Sequence, residues 1–95
     1  MKRFMLLHYG FVKPTPEIME AWRGWFESIA GRTVDQGGFS SAREISSAGT
    51  EDLPMGMESI TGYNIIEAES LDEAEKMASD NPYIASIRVY EIRSM

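Results

Sequence analysis

Apolar residues fall on both parities from Phe4 to Tyr9, so this stretch reads as a strand covered on both sides. Gly10 breaks it. Thr15 then stands as an N-cap with Pro16 at the first helical position. Ile18, Trp22, Trp25, Phe26 and Ile29 recur at helical spacing and give the helix a broad aromatic face. Its end is expected between Asp35 and Gly38, where glycine is free to take a left-handed turn. Phe39 to Ser47 alternates apolar and polar positions and predicts a half-exposed strand at a sheet edge. From Ala48 to Thr61 little periodicity survives, which predicts a long loop, although Met55, Met57 and Ile60 argue against a wholly free one.

The second half is more regular. Tyr63 to Ile66 is aromatic and β-branched, bounded by Gly62 and by Glu67 to Ser70, which favours a largely buried strand. Ser70-Leu71-Asp72-Glu73 has the form of a capping box, in which serine accepts from the Glu73 amide and the glutamate reaches back to the Ser70 amide. Leu71, Ala74, Met77 and Ala78 supply a narrow apolar stripe, and Pro82 stops the helix near Asp80. A last strand runs from Ile84 to Ile92, with Ile87 and Val89 on one face against Arg88, Tyr90 and Ile92 on the other.

Strand, helix, strand, strand, helix, strand is the order of the α+β ferredoxin-like βαββαβ fold with a four-stranded antiparallel sheet. Both helices then cover one sheet face. If the other carries Phe4, Leu6, Tyr90 and Ile92, a second copy is its natural cover, giving a two-fold homodimer with the sheets face to face around a cavity. The alternative is a monomer whose open face is lined mainly by polar positions.

Composition narrows the function classes. Ninety-five residues suit one domain across 1–95, enough for one modest core. With no cysteine, disulfides, thiolate metal sites and cysteine nucleophiles drop out, which fits a reducing, cytoplasmic setting. A net charge of −6 with scattered lysine and arginine argues against nucleic acid. No apolar run is long enough to span a membrane.

FMLLHYG at the start, GGF after the first helix, DLPM in the loop, GYNIIEAESLDEAEKMA, NPY and IRVYEI together resemble the YCII-related family, specifically its DGPF branch. The likeness spans nearly the whole chain, and its most specific piece is Gly62 to Ala78. The family's Asp-Gly-Pro-Phe box appears here as Asp52-Leu53-Pro54-Met55. The resemblance implies a dimeric α/β barrel, a fold shared with cofactor-free isomerases, lyases and monooxygenase-like proteins, with suspected chemistry by a first-helix histidine and an acid. Trp25 stands where that histidine would be, and an indole donates a hydrogen bond but exchanges no proton near neutral pH. Asp35 is the candidate acid by family position.

His8 is the sole histidine and titrates nearest working pH, so it is the candidate general base if it faces a cavity; the other reading is a hydrogen-bonded core residue. Arg43, Arg88 and Arg93 are candidate carboxylate clamps or surface ion-pair partners. Tyr9, Tyr63 and Tyr90 offer phenols to a ligand or to the core, and Trp25, with Trp22, offers packing or a cavity wall. Glu58 and Asn64 are weaker candidates. One histidine and no cysteine support no metal site, and no glycine pattern indicates a nucleotide cofactor. Two functions stay open: a cofactor-free enzyme acting on a small organic molecule in the dimer cavity, or a non-catalytic small-molecule-binding or regulatory dimer. A third treats the dimer as a purely structural interaction unit.

Overall fold

A computed structural model describes residues 1–94. In chain order it contains β1 (Lys2–Tyr9), α1 (Pro16–Ile29), a 3-10 turn (Ala30–Arg32), β2 (Thr33–Gly38), β3 (Ala42–Ser46), β4 (Gly49–Leu53), β5 (Ile60–Ala68), α2 (Leu71–Ser79) and β6 (Ser86–Ile92). Four strands form an antiparallel sheet in the order β2-β5-β1-β6. Among the described residues β3 and β4 pair only with each other, as a hairpin inserted in sequence between β2 and β5. The fold is ferredoxin-like, as the alternation of elements predicts.

Local signals at the helix starts hold. Thr15 Oγ1 accepts from the Ile18 amide at 3.2 Å with Pro16 following, and Ser70 Oγ accepts from the Glu73 amide at 3.2 Å. The returning half of the second box goes elsewhere. Glu73 Oε1 accepts from the Glu69 amide at 3.0 Å and from the Arg32 guanidinium at 2.7 Å, not from the Ser70 amide. That ion pair ties the turn after α1 to the first turn of α2, and Arg32 also donates to the Glu67 carbonyl. Leu71, expected in the apolar stripe, is exposed, and Ala74, Met77 and Ala78 carry the contact.

The core lies between the helices and one sheet face. Phe4 and Leu6 from β1, Ile66 and Ala68 from β5, Trp25 and Ile29 from α1 and Ala74 and Ala78 from α2 form it. Each large side chain fully withdrawn from water contributes about 1.5–3 kcal/mol. The alanines let α2 lie close to the strands.

Three expectations are corrected. α1 stops at Ile29 rather than near Asp35–Gly38, and Thr33–Gly38 is itself the edge strand. Main-chain pairing with β5 holds that edge, while most of its side chains stay in water, so it has almost no apolar alternation to read. Phe39–Ser47 is not an edge strand of the four-stranded sheet. Only Ala42–Ser46 is extended, and Ser47 and Ala48 turn it onto Gly49–Leu53, with Gly49 at φ 119°. Finally, the phase of β1 is reversed: Phe4 and Leu6 are fully buried beneath the helices, and Met5, Leu7 and Tyr9 line the open face. Register places Tyr90 opposite Met5 and Ile92 opposite Arg3, so these two do lie on the open face as expected. A strand apolar on both parities carries no mark of which side the helices take.

Candidate functional site

β1 brings His8 to the helix-facing side, two residues beyond Leu6. Across the sheet Asn64 pairs with Leu6 on one side and with Gln36 on the other, so His8, Asn64 and Gln36 share that face. Gly62 stands opposite His8, and Gly38 stands opposite Gly62. Two residues without side chains in register leave a hollow beside the imidazole. Trp22 and Phe26 of α1 roof it, and the resulting pocket has a volume of about 370 Å³.

Within the pocket His8 Nε2 lies 2.6 Å from Asn64 Oδ1, and Asn64 Nδ2 donates to Gln36 Oε1 at 3.0 Å. A carbonyl oxygen only accepts, so Nε2 carries the ring proton and Nδ1 keeps its lone pair. Nδ1 is buried and has no hydrogen-bond partner among the described residues. Trp22 stands edge-on to the imidazole with ring centroids 4.9 Å apart, and Trp25 does the same at 5.7 Å. Burial pushes the imidazole below its ordinary value, and the Asn64 hydrogen bond opposes that shift. His8 is therefore a neutral base at pH 7, fixed in one tautomer.

The other sequence candidates lie outside this pocket or contribute to it differently. Asp35 does not meet His8: strand alternation sends Gln36 toward the helices and its neighbour Asp35 to the open side, exposed. There its Oδ2 accepts from the Tyr63 hydroxyl at 2.9 Å, which holds that phenol above its ordinary value, and Phe39 stacks on the Tyr63 ring. Trp25 is a packing residue, because its Nε1 donates to the Met77 carbonyl at 3.0 Å and is not free for a ligand. Arg43 pairs with Asp52 on the exposed hairpin. Arg88 lies over the Tyr9 ring at 4.6 Å on the open face, and Tyr90 is half-exposed on that face. Arg93 follows the end of β6 and is exposed. Among the described residues no three His, Asp or Glu side chains converge as metal ligands, and no helix is long and apolar enough to cross a membrane.

The pocket lies between α1 and the sheet of this chain, not between two sheets. Sequence reasoning missed Gln36 and Phe26 and gave Asn64 little weight. An amide inside the apolar run Tyr63 to Ile66 was the available signal, since a buried amide must find polar partners. On the opposite sheet face a wider apolar groove of about 860 Å³ is lined by Leu7, Tyr9, Phe39, Leu53, Met55 and Met57.

No protein-family model matches this chain, and no curated protein matches it. Among solved structures it is similar to 5-chloro-2-hydroxyhydroquinone dehydrochlorinase (TftG) from Burkholderia phenoliruptrix AC1100, in complex with 2,5-dihydroxybenzoquinone. The TM-score is 0.61 at 16% identity, over 96% of this chain and 93% of that one. That likeness is one of fold.

Proposed function

We propose that this chain is a YCII-like, cofactor-free enzyme of isomerase or lyase type, working as a homodimer on a small planar hydroxylated molecule. The observation that carries the reading is the His8 imidazole in the pocket wall, its Nε2–H fixed on Asn64 Oδ1 and its Nδ1 lone pair buried without a hydrogen-bond partner among the described residues. A proton leaving a substrate O–H or activated C–H goes to Nδ1. The imidazolium so formed keeps its Nε2 proton on Asn64 Oδ1, whose dipole is already oriented by Gln36. Trp22 and Phe26 give a flat ring apolar contact, and the Gln36 amide is placed for its hydroxyls. The structural neighbour binds a hydroxylated quinone, a molecule small enough for a pocket of this volume. The dimeric part of the reading is supported by the open sheet face, where Met5, Leu7, Tyr9, Ile65, Tyr90 and Ile92 form an apolar patch that a soluble monomer rarely tolerates.

The test is deuterium incorporation at ring carbons of hydroxyhydroquinones and hydroxyquinones in D2O, followed by proton NMR. Wild-type protein is expected to accelerate exchange and His8→Gln to lose about 10²–10⁴-fold, while quenching of Trp22 fluorescence still reports binding. Equal rates for the two proteins would remove His8 from the chemistry. Binding without any exchange would leave a ligand-binding module.

A further inference from the structure

We infer that the β3–β4 hairpin is an arm that clasps a second copy of this chain, seating its Glu44–Glu51 pair on Arg88 of the partner subunit's open sheet face. The inference rests on the dimeric part of the reading above and adds the element and contact that make the dimer.

Every residue of the hairpin is exposed. Among the described residues no helix or strand of its own chain packs extensively against it. The chain is correspondingly expanded, with a radius of gyration of 14.4 Å against the roughly 12–13 Å expected of a compact domain of this length. A two-stranded hairpin alone in water is marginally stable at best, so this one lacks a cover that its own protomer does not supply.

Its charge pattern says what the cover is. Arg43 is opposite Asp52 and the two are paired at 2.8 Å, but Glu44 is directly opposite Glu51. Like charges so placed repel, and neither glutamate has a cationic partner among the described residues. Alternation puts them on the same side of the arm as Ala42 and Leu53, which line the apolar groove where Arg43 and Asp52 do not. The acid pair therefore faces the space above the open sheet. On that sheet Arg88 sits opposite Leu7 and over Tyr9, both groove residues, with no carboxylate partner among the described residues. One surface of the chain thus carries an unneutralised acid pair and another an unneutralised cation beside an apolar groove. A two-fold assembly satisfies both at once, because each such contact then occurs twice.

The area suffices. Four strands about 4.8 Å apart and about 23 Å long present roughly 450 Å² of flat face, and the inner side of the arm adds roughly 150–200 Å². With side-chain relief this reaches the order of 800 Å² per partner that a stable dimer buries.

Sedimentation equilibrium on the full chain and on three kinds of variant tests the arm. Wild type is expected at twice 10.7 kDa. Replacing residues 43–52 by an Asn-Gly turn, which joins the paired Ala42 and Leu53, is expected to give a folded monomer with unchanged helical circular dichroism. E44K/E51K and R88E are each expected to weaken the dimer about tenfold or more, and combining all three to restore it within about threefold. A dimeric armless protein overturns the clasp while leaving the dimer standing, and a monomeric wild type overturns both. Should the armless chain fail to fold, the charge exchange decides, and absence of restoration overturns the Glu–Arg contact.

Discussion

His8 Nε2 and Asn64 Oδ1 lie 2.6 Å apart across two neighbouring strands, and this contact fixes the tautomer of the only histidine in the chain. Nitrogen-15 NMR of the imidazole is expected to show the Nε2-protonated form. Asn64→Leu removes the acceptor and strands the buried ring N–H, at a cost of about 1–3 kcal/mol in urea unfolding.

His8 also makes stability depend on pH. Its folded-state pKa lies below the ordinary 6.5 because burial disfavours the charged ring. Between the folded value and 6.5 the unfolded chain binds a proton that the folded chain does not. Stability from this group is thus fully present above the unfolded value and is lost as pH falls through the window down to the folded one. Unfolding midpoints at about pH 7.5 and about pH 5.5 should differ in wild type and differ less in His8→Gln.

Leu6 and Leu7 are adjacent but serve different surfaces. Leu6 is fully buried under the helices, so Leu6→Ala is expected to cost about 2–5 kcal/mol of chain stability. Leu7 lines the open-face groove, so Leu7→Asp should leave the fold standing and shift the proposed dimer toward monomer by light scattering. The reverse outcome would restore the strand phase read from the sequence.

Gly10 and Gly24 should respond in opposite senses to alanine. Gly10 has φ 101°, and a Cβ there would meet Ala85 Cβ at 2.8 Å and its amide nitrogen at 2.9 Å, so Gly10→Ala is expected to cost about 2–4 kcal/mol. Around Gly24, inside α1, a Cβ meets nothing within 4 Å among the described residues, and Gly24→Ala should stabilise by about 0.5–1 kcal/mol. Thermal melts of the two variants check the sign.

Much of the frame was written locally. Thr15-Pro16 and Ser70 to Glu73 state where helices begin because a cap is a contact within one turn. The alternation of Ile87 and Val89 against Arg88 and Tyr90 gives the last strand and its faces, and the helix-facing partners Leu6 and His8 agree with it. The edge strand Thr33–Gly38 was not legible, since main-chain bonds to β5 hold a segment with few apolar side chains. The pocket was hidden for a related reason. It needs Gly62 and Gly38 in register beside His8, and register couples residues 54 and 24 positions apart, beyond any local pattern.

What the amino-acid order alone determined was the first and last strands, the two helix starts with their caps, the strand around Tyr63 to Ile66 and the single titrating imidazole, all consequences of interactions within a few residues. Only the tertiary structure decided which side of β1 meets the helices, that Asp35 and His8 part company across the sheet, and that Asn64 and Gln36 stand beside the imidazole instead. The physical reason is the pleat: neighbouring side chains on a strand point to opposite faces, and packing chooses between them.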